Sequence, residues 1–312
     1  MPRVRVAVVD IGSNSTRLLV ADVRPDGAVD ELVRRSQVTR LGQGVDATGE
    51  LAEPAMERVF AVLGEYRRII DEHEVQANLA VLTSAVRDAA NGAEFTARVR
   101  DDFGLDARTL AGDEEAALTF LGATSQRGDG DGQAPLVVID IGGGSTEFII
   151  GEGRRATFHV STQAGVVRMS ERHIHSDPPP PEELQELEAD THEVFAAALP
   201  EAQRGRVTAA IAVAGTATSA AAIELELDPY DSERVHGHRL MLATVEFLLA
   251  RLADLTNEQR RQVVGLQPDR APTIVAGMIL LAEAMRAFGL DAVEVSEHDI
   301  LRGGALRLAG LG

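Results

Sequence analysis

Cysteine, lysine and tryptophan are absent from this 312-residue chain, and only 4% of its residues are aromatic. Without cysteine there is no disulfide framework and no thiolate metal site. No stretch approaches the roughly 20 uninterrupted apolar residues that a membrane helix requires. The first strand is expected almost at Met1, leaving no room for a secretory signal, so a cytoplasmic protein without membrane association is expected. Positive charge is scarce too. The net charge is -19 and the pI about 4.8, which argues against nucleic acid as a partner because such binders present a basic surface. An anionic substrate stays open, provided that the positive field is local: backbone N–H groups, a metal ion, a few arginines. All 30 basic residues are arginine, and so complete a bias carries no functional weight by itself.

The length suits two domains of ordinary size, and a hydrophobic fraction of 45% is enough to bury a core in each. Arg3 to Val9 reads as a buried strand and Thr16 to Val23 as its hairpin partner. Helical spacing runs from Pro54 to Asp71, with Met56, Val59, Phe60, Leu63 and Ile70 on one side. A short strand at Leu79 to Leu82 and a helix at Asp113 to Gly122 follow. Ser125 to Pro135, rich in glycine and aspartate, is the best candidate boundary. The expected division is residues 1–124 and 134–298, with the C-terminal helix, about 299–312, packing back on the first.

The most informative feature is an internal repeat. VAVVDIGSNSTRLLV (6–20) lies over LVVIDIGGGSTEFII (136–150) at a constant offset of 130 residues without a gap. Val8, Asp10, Ile11, Gly12, Ser15 and Thr16 match Val138, Asp140, Ile141, Gly142, Ser145 and Thr146. Two copies in two half-chains imply two related domains with a ligand-binding cleft between them. Each copy sets an aspartate at a strand end, then a turn of small residues whose consecutive N–H groups favour anionic oxygens. A lone copy would be read equally well as a plain hairpin turn.

The sequence resembles a known family at these positions. DIGSNSTRLLV and VVIDIGGGSTEF are similar to the two phosphate motifs of the actin-like ATPase superfamily, and AVAGTATSAAA (212–222) to its third motif. Within that superfamily the chain resembles the exopolyphosphatase / guanosine pentaphosphate phosphohydrolase family, through DIGSNS, TSAVRDA (83–89), GDEEA (112–116) and DIGGGSTE (140–147). The resemblance covers the whole chain and implies an α/β fold of two actin-like (ribonuclease H-like) domains, of the short type that lacks a further C-terminal helical domain. It also implies a homodimer.

The resemblance assigns Glu115 as the base that activates water. Read alone, Glu114 and Glu115 simply open a helix, where acids are favoured by the macrodipole, and Glu114 keeps that reading. Phosphate is expected at Ser13, Asn14, Ser15 and Arg17, at Gly142, Gly143, Gly144, Ser145 and Thr146, at Gly215 and Thr216, and at Arg87, which could equally be a surface arginine. Asp140, Glu147 and Asp10 are the expected ligands of magnesium, with manganese as its substitute, since magnesium takes one or two carboxylates and completes its octahedron with water and phosphate. Arg17 and Glu147 occupy equivalent places in the repeats, so a pairing between the two is the competing reading. Arg270 is a further phosphate candidate.

The pairs His173/His175 and His236/His238 lack the third and fourth ligand of a zinc site, though His238 could serve the cleft. Leu240 to Leu255 reads as core or dimer interface, and Glu182 to Glu193 as a solvated acidic face. The expected activity is hydrolysis of the terminal phosphate of inorganic polyphosphate. Guanosine pentaphosphate is the alternative substrate. Phosphotransfer to a sugar, alarmone sensing without turnover and actin-like assembly are the competing functions.

Overall fold

The computed structural model describes residues 3–127 and 134–311. It forms two compact units, Met1–Gln126 with His298–Gly312, and Arg127–Glu297. Residues 128–133 of the glycine- and aspartate-rich break lie outside the described residues.

The first unit is built on β1 (Val4–Ile11), β2 (Ser15–Val23), β3 (Val29–Val38), β4 (Ala77–Leu82) and β5 (Ala107–Thr109), in the order β3-β2-β1-β4-β5. β1 and β2 pair antiparallel, as do β2 and β3, whereas β1, β4 and β5 run parallel. β1 is buried on both faces, which is why it reads as a continuous apolar run. One face packs against the Glu53–Glu72 helix through Val59, Leu63, Tyr66 and Ile70. The other receives the Ile300–Leu308 helix through Leu301, Ala305 and Leu306. That helix also lies against the Gly112–Ala123 helix at backbone contact. A Cβ on Gly303 would come within 1.8 Å of the Leu118 carbonyl oxygen, and one on Gly122 within 1.9 Å of that of Asp299. Only glycine permits this crossing.

The second unit repeats the plan with β6 (Leu136–Ile141), β7 (Thr146–Glu152), β8 (Arg155–Thr162), β9 (Ala209–Val213), β10 (Arg239–Met241) and β11 (Ala292–Val295). Its order is β10-β11-β9-β6-β7-β8. β6, β7 and β8 are antiparallel, while β6, β9 and β11 are parallel. Read from β8, the first five strands have the order and directions of the first sheet, so the repeat of sequence is a repeat of topology. The expected α/β class, with two sheets, is what is found. The Ile274–Ala287 helix is buried along its length and anchors this core with Leu248 and Leu252 from Leu242–Ala253. From that second helix Phe247 projects into solvent, 65% exposed. Among the described residues no helix is long and apolar enough to cross a membrane.

Four strands, β3, β5, β8 and β10, escape the sequence reading. β3 and β8 are edge strands with mostly exposed or half-buried residues, and their charges blunt an open edge. β5 and β10 have three residues each, too few for an alternation to show.

Candidate active site

In both units the turn after the first strand closes in the same way. Gly12 N–H donates to the Ser15 carbonyl at 3.0 Å, and Gly142 N–H to that of Ser145 at 2.9 Å. The turn carbonyls are tied to the chain that follows. Asn14 O accepts from Thr39 N and Arg40 N, and Ser13 O from Gly42 N. In the second unit Gly142 O accepts from Val166 N, and Gly143 O from Val167 N and Arg168 N. The Arg168 guanidinium donates to Gly144 O at 2.9 Å. With the carbonyls so held, the N–H groups of Ser13, Asn14, Gly143 and Gly144 have no hydrogen-bond partner among the described residues. Each turn thus offers amides to an anion.

The side chains are less uniform than the sequence suggests. Thr146, expected at phosphate, is fully buried and donates its hydroxyl to Ala164 O at 2.6 Å, because strand alternation turns it inward. Thr16, its counterpart, bonds Thr39 in the same fashion. The Ser13 hydroxyl is also buried, 3.1 Å from that of Ser84. In these turns both threonine hydroxyls are taken up by hydrogen bonds inside the core.

Arg17 is engaged within its own unit. Its Nε and Nη2 both donate to Asp10 Oδ2, at 2.9 and 2.6 Å, and its Nη1 donates to Asp299 Oδ2. The guanidinium expected to grip phosphate is instead held by two buried carboxylates of its own unit. Asp299 also caps the last helix, accepting from Leu301 N at 3.0 Å. The sequence reading missed Asp299 as a site residue. Its position before an apolar helical run signals a cap, but nothing signals an arginine 282 residues away.

Asp10 keeps one oxygen in that pair, while Oδ1 is buried without a hydrogen bond. Burial raises its pKa above the usual carboxylate value, Arg17 opposes the rise and the Asp299 charge adds to it. The register is informative here. Asp10 stands directly opposite Arg17 in the β1–β2 ladder, and Asp140 stands directly opposite Glu147 in the β6–β7 ladder. The first turn sets acid against base; the second sets acid against acid. Like charges directly opposed destabilise a ladder, and a cation between them removes the penalty. Glu147 is buried and accepts from the Ser161 hydroxyl at 2.8 Å. No group of three or more acidic or histidine side chains suited to a metal occurs among the described residues. Two carboxylates do fit magnesium, which fills the rest of its shell with water and phosphate.

Glu115 lies in the first turn of the Gly112–Ala123 helix and is buried. Its Oε2 accepts from Arg87 Nη1 at 2.9 Å, and the same nitrogen donates to Leu110 O at 3.0 Å. Oε1 has no hydrogen bond among the described residues. Burial pushes the Glu115 pKa up, Arg87 pulls it back, and the charges of Asp10 and Asp88 push it up again. A raised carboxyl pKa in such surroundings suits a general base. Glu114, by contrast, turns back to Ala111 N at the helix start. Arg87→Ala is expected to shift the acid limb of the activity profile to higher pH, because the influence that lowers the Glu115 pKa is gone. A pH–rate profile of the variant checks this, and a limb that stays or moves down contradicts it.

At the third motif the Ala214–Glu224 helix begins with Ala214 at φ 65° and then Gly215. A Cβ on Gly215 would lie 1.5 Å from Arg270 Nη1, so glycine here lets the guanidinium rest on the helix start. Thr216 is buried beside Gly277. Both histidine pairs have acidic or backbone neighbours: His173 lies 2.8 Å from Asp190, His238 lies 2.7 Å from Glu224, and His236 accepts from Glu297 N.

The profile of the Ppx/GppA phosphatase family matches residues 19–307. Exopolyphosphatase 2 of Mycobacterium tuberculosis is 37% identical over 322 aligned positions, which cover 99% of this chain and 100% of the relative. A crystal structure of an exopolyphosphatase-like protein superposes with a TM-score of 0.92 at 34% identity, covering 99% of this chain and 98% of the other. The Aquifex aeolicus Ppx/GppA family member gives 0.82 at 30% identity, with the same coverage. Since the similarity spans both sheets, both turns and the helix that carries Glu115, the chain belongs to the Ppx/GppA phosphatase family and is a hydrolase.

Proposed function

We propose that this protein is a magnesium-dependent exopolyphosphatase in which Glu115 activates the attacking water. The observation that carries the reading is the state of Glu115: buried, fixed through Oε2 by Arg87, with Oε1 left for water. Arg87 sets the carboxylate's direction by bonding it and the Leu110 carbonyl at once. The amides of Ser13 and Asn14 in the first unit, and those of Gly143 and Gly144 in the second, are each suited to phosphate oxygens and to the charge that develops on them. Oε1 of Glu115 accepts the proton as water attacks the terminal phosphorus. The bridging P–O bond breaks, its electron pair leaves with the shortened chain, and orthophosphate is released.

Asp140 and Glu147 would hold the magnesium ion, which when bound supplies positive charge to the phosphate oxygens. Polyphosphate is favoured as substrate because a relative aligned over nearly the full length is named an exopolyphosphatase. Guanosine pentaphosphate ends in the same kind of anhydride and remains the second substrate to test. A buried carboxylate placed for water favours hydrolysis over transfer to a sugar or assembly without turnover.

Phosphate release from polyphosphate is expected in magnesium and is expected to stop on chelation. An assay of free orthophosphate over chains of defined length and the pentaphosphate measures it. Silence on every chain length and on the pentaphosphate would sink the proposal.

A further inference from the structure

Two serines from distant segments meet at the first phosphate turn, and the mechanism above gives the second of them no part. Ser13 belongs to the turn, and Ser84 opens the Ser84–Asp88 helix that carries Arg87. Their hydroxyls lie 3.1 Å apart, and each residue is only 4% exposed. Neither side chain has another hydrogen bond among the described residues. We infer that Ser84 is a positioning residue of the hydrolytic site, whose hydroxyl, bonded to that of Ser13, holds the Arg87–Glu115 pair in register with the amides of the first turn. The inference deepens the hydrolase reading and rests on it for the kinetic part of its test.

Three observations support it. First, the path from the turn to the base is short and lies within one unit. Ser84 and Arg87 stand three residues apart on one helical turn, where the Val86 and Arg87 N–H groups both donate to the Thr83 carbonyl. Arg87 in turn donates to Glu115 and to the Leu110 carbonyl. A displacement of that turn therefore displaces the guanidinium, and with it the carboxylate that it aims. Second, the helix is packed closely on both sides. A Cβ on Gly92 would come within 1.9 Å of the Val86 carbonyl oxygen, and one on Gly42 within 2.9 Å of Ser13 Cβ and 3.4 Å of Ala85 Cβ. Such packing limits how far the turn and the helix stand apart, while a directional bond sets how they are aligned. Third, the backbone link between the end of β1 and this segment is long. Thr83 N–H reaches the Ile11 carbonyl at 3.4 Å, whereas the hydroxyl bond is shorter and enclosed.

Ser84→Ala is expected to lower kcat about tenfold and to leave KM within about twofold of the wild type, because substrate is still gripped but water is aimed less well. In an Arg87→Ala background the same substitution is expected to lower kcat by less than about twofold, since no guanidinium is left to aim. Single-turnover release of radiolabelled phosphate follows the slow background. A loss of folded protein would instead lower kcat by one factor in both backgrounds. That result overturns the inference, as does an unchanged kcat in the wild-type background or a rise in KM alone.

A second readout does not require turnover. Ser13→Ala and Ser84→Ala each leave a buried hydroxyl without a partner, and each is expected to lower Tm by about 2–6 °C. The double variant removes both hydroxyls and is expected to melt no lower than either single variant. Additive falls would show that the two serines do not act as a pair, and the inference fails. Absence of turnover in the wild type would count against the hydrolase reading, while the thermal cycle would still decide whether Ser84 ties its helix to the turn.

Discussion

Replacing Glu115 with glutamine is expected to lower turnover by about 10²–10⁴-fold, the range over which a positioned general base contributes. Substrate binding should survive, since the turn amides are untouched. The same change should not harm the fold. Burial raises the Glu115 pKa despite the Arg87 hydrogen bond, so the folded state disfavours the ionised form more than the unfolded chain does. A carboxylate with a raised folded pKa weakens the fold once the pH exceeds its unfolded value. Below that value it is neutral in both states, and the penalty disappears. Glutamine is neutral throughout. At neutral pH the Glu115→Gln protein should therefore have a Tm equal to or above that of the wild type, and the gap should close on acidification. Thermal melts at several pH values, run beside steady-state kinetics, measure both effects. Unchanged turnover would show that the base lies elsewhere.

Gly303→Ala should produce the largest loss of stability. In a helix interior alanine is favoured over glycine by about 1 kcal/mol. Against that stands a Cβ 1.8 Å from the Leu118 carbonyl oxygen and 2.7 Å from its carbon, both backbone atoms that no rotamer change can move. The two helices must separate. Overpacking of this kind costs about 1–3 kcal/mol, and a backbone collision belongs at the upper end. The net expectation is a fall in Tm of several degrees, at about 2–4 °C per kcal/mol. Because one of these helices carries Glu115 and the other begins at Asp299, activity should fall as well. Gly64→Ala is the matched control. Gly64 lies in the Glu53–Glu72 helix and a Cβ there meets nothing within 4 Å, so the same substitution should raise Tm slightly. Equal effects at the two sites would refute the packing account.

Much of this architecture is legible in the amino-acid sequence. β1 and β6 announce themselves because both of their faces are buried, and the turns after them because small residues repeat at one offset. The long helices could be found from their apolar stripes, as in Glu53–Glu72. β3 and β8 could not, since edge strands carry polar residues for reasons of solubility and leave no alternation to read.

The site divides along a similar line. Glu115, Arg87 and the glycine turns stand in local motifs whose residue types suit the chemistry. Which atom of each does the work is a tertiary property. Thr146 shares a motif with its glycines, yet the pleat turns it into the core. Arg17 sits where a phosphate ligand would be welcome, yet two acids claim it, one of them contributed by the C-terminal helix. Asp299 looks like a cap and is one, and its bond to Arg17 becomes visible only once the chain has folded.

Hydrolysis by a water fixed on Glu115 is tested most directly by running the reaction in water enriched in oxygen-18 and weighing the released orthophosphate. The account predicts that label enters the orthophosphate set free by the wild type, with no label in the shortened chain. It also predicts that the Glu115→Gln protein binds polyphosphate and releases almost nothing. Unlabelled orthophosphate, label left on the chain, or full release by the glutamine variant would contradict it.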